Sequence, residues 1–176
     1  MQVASASTAS TLQAPISLLE KTPTVLEVLL RDVASDVLQW KPAPDRWSIS
    51  EVLRHLLDIE QLYERRARIM VMEEAPALPK FVAPSESDLR PRPAGDSLEQ
   101  FVTLRRAFAV FLHSLSAAAG KRIGQHAELG VVTLSQMLHE LANHDLGHLR
   151  QIGELYRARV FYPNAGPFQK YSNPKP

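Results

Sequence analysis

Cysteine is absent from the 176 residues, which excludes disulfides, thiolate metal sites and a cysteine nucleophile together. Any metal held by this chain must rest on nitrogen and oxygen. Aromatic residues are sparse, at 7%, and no stretch approaches the roughly 20 uncharged apolar residues that a membrane-spanning helix needs. Neither sign of charge dominates. Lysine and arginine total 20 against 19 acidic residues, so the electrostatic footprint expected for nucleic acid or an anionic membrane is missing. The opening MQVASASTASTLQAP lacks the basic start and apolar run of a signal peptide. These absences predict a cytoplasmic protein with a small-molecule partner, no nucleic acid and no membrane.

What is present is a hydrophobic fraction of 45%, enough for one domain with a sizeable core. The Ser/Thr/Ala-rich residues 1 to 13 are expected to be a disordered lead-in, and residues 14 to 176 a single domain. Four long helices follow from periodicity and punctuation. Thr22 with Pro23 reads as an N-cap and first helical position, and Val25, Leu26, Leu29, Leu30, Val33 and Val37 continue a stripe over about 22 to 39. Prolines 42 and 44 stop it. Ser48 and Glu51 form a capping box that opens a second helix over about 49 to 73. Five prolines then mark residues 74 to 95 as an irregular connection, a length usually reserved for functional or disordered loops. Asp96 and Glu99 are expected to cap a third helix, about 97 to 118, ended by Gly120 and Gly124. Thr133 and Gln136 form another capping box for a fourth, about 134 to 158. No segment shows strand alternation. The expectation is an all-α, up-down four-helix bundle with a long connection between helices two and three.

Two histidines stand four residues apart in "NHDLGHLRQIGELY", residues 143 to 156. With about 100° per residue and His144 as zero, His148 lies near +40°, Leu141 near +60°, Ile152 near +80° and Met137 near +20°. Both imidazoles fall within the apolar face, whereas His139 lies about 140° away. On the second helix His55 shares its face with Val52, Ile59, Leu62 and Tyr63. A lone buried histidine is more often satisfied by a carbonyl or hydroxyl than by a metal. Three rings among Leu, Ile and Met leave six nitrogens to satisfy, and a divalent cation takes one from each ring at once. His55, His144 and His148 are therefore the candidate ligands of a tri-histidine centre.

These same residues carry a family likeness. "WSISEVLRHLLDIE" at 47 to 60, "LGVVTLSQMLHELANHDLGHLRQI" at 129 to 152 and "YPNAGPFQKY" at 162 to 171 resemble the DinB-like (YfiT-like) four-helix-bundle superfamily. The resemblance implies one ligand histidine on the second helix and two on the fourth, at His55, His144 and His148 here. It also implies a zinc, nickel, manganese or iron ion, and a homodimer as in many relatives.

Other residues have simpler readings. Glu51 is the capping-box acid, and Asp58 a solvated charge. Asp145, near +100° on the fourth helix, sits where it could hydrogen-bond a ligand imidazole. Arg65, Arg66, Arg68, Arg105 and Arg106 read as solvated faces, although Arg66 and Arg105 project toward their apolar stripes, where either could instead meet an anionic substrate. His113 is expected to be exposed, and His126 lies in a loop. Trp47, Tyr63 and Tyr156 read as core aromatics, with a pocket wall as the other reading.

A cation on three neutral imidazoles acts as a Lewis acid, lowering the pKa of a bound water or thiol. The resemblance narrows this to a thiol S-transferase that joins a low-molecular-weight thiol to a small electrophile. Two alternatives remain. One is a metal-dependent hydrolase, because His144-Asp145-Leu146-Gly147-His148 resembles the zincin helix motif with Asp in place of Glu. The other is a non-catalytic bundle with a structural or sensing metal.

Overall fold

The computed structural model describes residues 12 to 81, 93 to 171 and 173 to 176. The chain begins with α1 (Gln13–Leu19) and α2 (Lys21–Leu29), which follow one another through Glu20 with helical backbone angles to make a single interrupted rod. A short α3 (Ser35–Gln39) leads to the long α4 (Ile49–Met72), and α5 (Ala94–His113) follows the connection. A hairpin of β1 (Ile123–His126) and β2 (Gly130–Thr133) then delivers the chain to α6 (Leu134–Tyr156). Among the described residues no helix is long and apolar enough to cross a membrane.

The helical bundle predicted from periodicity is present, and α4 and α6 keep nearly their expected spans. The first helix needs correction. It starts at Gln13, with Leu12 already buried, and residues 1 to 11 of the expected lead-in lie outside the described residues. Thr22 is no cap, because its hydroxyl donates back to the Leu18 carbonyl at 3.3 Å within the rod. Pro23 interrupts the rod instead of starting it. Its missing N–H leaves the Leu19 carbonyl without the usual i+4 donor. Arg105 donates to that carbonyl, with Nη1 at 3.3 Å.

The rod of α1 and α2 packs on α5 and α6, and α4 packs on the same two helices. The rod and α4 therefore face each other across the bundle, as do α5 and α6. Two connections must span these diagonals, which explains their length and their contents. The first carries α3, and the second carries a 3₁₀ turn (Ala117–Lys121) and the hairpin. The hairpin corrects the expectation of no strands. Four-residue strands are too short for alternation to register.

The helix expected from residue 97 starts three residues earlier, with Pro93 at its N-cap and Asp96 inside its first turn, and it ends at His113. In the long connection, Leu78 donates its N–H to the Gln125 carbonyl at 2.9 Å, and Gln125 donates to the Pro76 carbonyl at 2.8 Å. This parallel bridge adds the connection to the free side of β1. Residues 82 to 92 of the expected irregular segment lie outside the described residues. Gly124 makes the bridge possible, since a Cβ there would stand 2.6 Å from Leu78 Cδ2 and 2.9 Å from Cγ. Gly124→Ala is therefore expected to cost about 1–3 kcal/mol, the range for forced overpacking. Thermal denaturation at wild-type level would show that the connection has room to give.

Candidate metal centre

Both ligand-bearing helices are started by reciprocal caps. Ser48 Oγ accepts from Glu51 N–H at 3.2 Å, and Glu51 Oε2 accepts from Ser48 N–H at 2.8 Å. Thr133 Oγ1 accepts from Gln136 N–H at 3.1 Å, and Gln136 Oε1 accepts from Thr133 N–H at 2.8 Å. Such boxes satisfy orphan donors in the first turn and fix where each helix begins. With the starts fixed and α4 packed against α6, His55 meets His144 and His148.

The three Nε2 atoms converge. His144 Nε2 lies 3.0 Å from His55 Nε2 and 3.2 Å from His148 Nε2, and one ring nitrogen from each histidine falls within 4.8 Å of the others. Nitrogens held about 2.0–2.1 Å from a tetrahedral ion would be roughly 3.3 Å apart, so the spacing suits a first-row cation. His148 Nδ1 donates to Gln151 Oε1 at 2.8 Å, which leaves the Nε2 lone pair free to ligate. Burial, with a lesser contribution from the neighbouring histidines, pushes the pKa of His55 down to about 4. Burial and His148 push His144 down to about 4 as well, against the opposing pull of Asp145. Neutral imidazoles with converging lone pairs are the donor set that a divalent cation requires.

All three rings are half-buried and sit at the rim of the core. The true buried face of α4 is wider than the expected stripe and includes Ile49, Leu53, Leu57 and Ala67. His55 therefore lies at its edge. Trp47, 40% exposed, is a site wall as much as a core aromatic. Its ring stacks on His148 at 6.1 Å and 7° and meets His55 edge-on at 5.0 Å. Phe81, from the long connection, meets His55 edge-on at 6.2 Å. A cleft of about 1060 Å³ opens beside His144 and His148 along the outer side of α6.

Asp145 does not take the role expected for it. It is fully buried, and its oxygens accept from Arg105, Oδ2 from Nη1 at 2.5 Å and Oδ1 from Nη2 at 3.3 Å. His144 Nδ1 is buried with no hydrogen-bond partner among the described residues. Arg105 also donates through Nε to Glu60 Oε2 at 2.8 Å. Glu60, Arg105 and Asp145 form a buried ion triad across α4, α5 and α6, with exposures of 0%, 1% and 0%. Burial works against the Arg105 charge, but the two carboxylates outweigh it and hold its pKa above the ordinary value.

The solvated-face reading thus fails for Arg105, whose anions are internal. It fails for Arg66 too, which is buried and donates through Nε and Nη2 to the Pro79 carbonyl at 2.9 and 2.7 Å. Helical period alone does not single out Glu60. The signal lay in its position three and four residues after Leu57 and Leu56, inside the widened face. His139 is exposed and bonds to the Ser135 carbonyl, and His113 is exposed and paired with Glu20. His126 lies in β1, where Nδ1 accepts from the N–H groups of Glu128 and Leu129. None of these three joins the cluster.

The two lowered pKa values give a pH prediction with a definite sign. Folded His55 and His144 take up protons near pH 4, below the unfolded value of about 6.5. The unfolded chain binds protons first, so the metal-free protein loses stability as pH falls from about 6.5 to about 4. Urea melts at pH 7 and pH 5 should show this loss, and a flat profile would contradict it.

Bundle and site together define a class: a helical bundle with three converging imidazoles on its rim that could hold a metal ion. The chain matches the DinB superfamily over residues 18 to 152 and belongs to it. The uncharacterized protein YuaE of Bacillus subtilis is 25% identical over 141 residues, covering 72% of this chain and 87% of that protein. YfiT from Bacillus subtilis, described as a probable metal-dependent hydrolase with an unusual four-helix bundle topology, superposes with a TM-score of 0.75 at 22% identity, covering 89% of this chain and 92% of that one. A DinB-like protein from Bacillus cereus gives a TM-score of 0.58 at 20% identity, over 83% and 88%.

Proposed function

We propose that this protein is a divalent-metal-dependent enzyme of the thiol S-transferase type, joining a low-molecular-weight thiol to a small electrophile. The observation that carries the reading is the convergence of three Nε2 atoms beside an open cleft, with no carboxylate joining the cluster among the described residues. A divalent cation held by His55, His144 and His148 supplies a Lewis acid that brings the pKa of a thiol or water toward neutrality. Asp145 is buried and engaged by Arg105, so it is not available as the general base that a zincin-like reaction needs. A thiol, more acidic than water at the outset, depends least on such a base. Trp47 and Phe81 provide an apolar wall for the electrophile.

Hydrolysis is the second reading, favoured by the description of YfiT as a probable metal-dependent hydrolase and by Glu140 and Glu154 lining the cleft. The cobalt-substituted protein separates the two. A low-molecular-weight thiol is expected to change its visible spectrum, and thiol is expected to be consumed with an electrophile. Ester or amide cleavage without added thiol, together with an unchanged spectrum at saturating thiol, would replace the transferase by the hydrolase.

A further inference from the structure

Beyond α6 the chain passes through a π-helical turn (Arg157–Phe161) and two 3₁₀ turns (Tyr162–Asn164 and Gly166–Tyr171), and residues 173 to 176 then return to the cleft. Pro174 is buried there, so this short segment is seated against the protein. Its main chain is held at two points. The Lys175 N–H donates to Glu154 Oε2 at 2.8 Å, and the Pro176 main-chain oxygen accepts from Arg46 Nη2 at 2.6 Å. Glu154 lies on α6 less than two turns beyond His148, and Arg46 directly precedes Trp47, the ring stacked on His148. One acceptor and one cationic donor thus take the N–H and the oxygen of consecutive residues beside the metal centre.

We propose that Glu154 and Arg46 form a subsite for a peptide-like part of a substrate, an amide N–H followed by an acceptor oxygen, and that residues 175 and 176 occupy this subsite as a self-ligand. The proposal rests on the reading of the three-histidine centre as a catalytic site. Main-chain groups carry no information about the side chains of this tail, so any ligand with the same N–H and oxygen can replace it. Withdrawal of the tail removes the Lys175 ammonium from the cleft and leaves Arg46 and Arg150 as its donors alongside the acceptors Glu140 and Glu154, a lining suited to a ligand with both an N–H and an acceptor oxygen. The floor is clear as well: at Gly147, between the two histidines of α6, no atom beyond its chain neighbours and its own helix backbone lies within 4 Å of where a Cβ would stand. A substrate anchored at Glu154 and Arg46 would extend along this floor toward His144 and His148.

The test is titration of the full chain with N-acetyl-lysyl-proline, followed by tryptophan fluorescence, since Trp47 adjoins Arg46. Lys175→Pro removes the N–H that Glu154 holds. It is expected to bind the peptide at least tenfold more tightly than wild type, whose own tail competes. A second variant, Pro174→Asp, puts a charge at the buried residue that seats the segment and is expected to do the same. Adding Arg46→Ala to either should weaken binding at least tenfold. Peptide affinity equal to wild type in both tail variants, or affinity that survives Arg46→Ala, would overturn the subsite. The probe carries no thiol. Peptide binding together with a cobalt spectrum that saturating thiol leaves unchanged would keep the subsite and remove the transferase reading, and the converse would do the opposite.

Discussion

Replacing any one of His55, His144 and His148 with alanine is expected to drop metal occupancy, in protein purified without added metal or a histidine tag, from near one ion per chain to below about one-tenth. The apparent affinity should fall by more than about 100-fold, the upper range for loss of a residue that merely orients a ligand. Each imidazole supplies one of three nitrogens that crowd within 4.8 Å, and two nitrogens at the rim of an open cleft hold a cation far less well. The fold should survive. The rings are half-buried, and their removal relieves a crowded set of nitrogens, so metal-free stability should stay within about 1 kcal/mol of metal-free wild type. The loss appears instead in the metal-loaded protein, where binding at 1,000 times Kd contributes about 4 kcal/mol. His113→Ala and His139→Ala provide the controls, because both rings are exposed and bonded elsewhere. Equal metal loss in all five variants, measured by elemental analysis, would point to general unfolding and remove the assignment.

Arg105→Leu is expected to destabilise the fold by about 3–5 kcal/mol, the cost of leaving a buried charge without its partner. Two carboxylates lose their cation, Glu60 and Asp145, and the Leu19 carbonyl loses the donor that replaces the missing Pro23 N–H. At about 2–4 °C per kcal/mol for a chain of this size, the melting temperature should fall by roughly 6–20 °C. Arg105→Lys should rescue little, since one ammonium cannot match the planar fork that reaches Glu60, Asp145 and the Leu19 carbonyl together. The variant should also acquire a characteristic pH response. Unpaired buried carboxylates have raised pKa values and take up protons in the folded state, so the deficit of Arg105→Leu relative to wild type narrows as pH falls from 7 toward 5. Replacement of all three charges by apolar residues of similar size should be far less harmful than Arg105→Leu alone. A loss below about 1 kcal/mol in the single variant would show that the triad contributes no stability beyond its packing.

The triad also shows how far a sequence reading reaches. Helical period points Arg105 inward, but its anions lie 45 and 40 residues away on other helices. An inward charge can be read from helical period, whereas its partner depends on which helices become neighbours. Asp145 failed for the same reason. Its angle on α6 placed it correctly at the core, and the nearby imidazoles made a bond to them plausible. The guanidinium across the bundle competes for the same oxygens and wins, because a charge-assisted fork satisfies a buried carboxylate better than a neutral ring does.

Local chemistry alone determined the capped starts of α4 and α6, since the capping boxes at Ser48–Glu51 and Thr133–Gln136 are interactions three residues long. It also determined the nitrogen-and-oxygen character of any metal site, through the absence of cysteine, and the shared side of His144 and His148, through the 3.6-residue period. Tertiary structure decided the rest. Pro23 could open a helix or interrupt one, and only the packing of Leu12, Ile16 and Leu19 in the core extends the rod to its N-terminal side. The hairpin exists because a connection must cross the bundle from α5 to α6, and its four-residue strands are held partly by Pro76 and Leu78 from a distant segment. His55 joins the other two histidines because α4 packs on α6. That adjacency follows from which wide apolar faces bury one another, a property of the whole chain that no single helix carries.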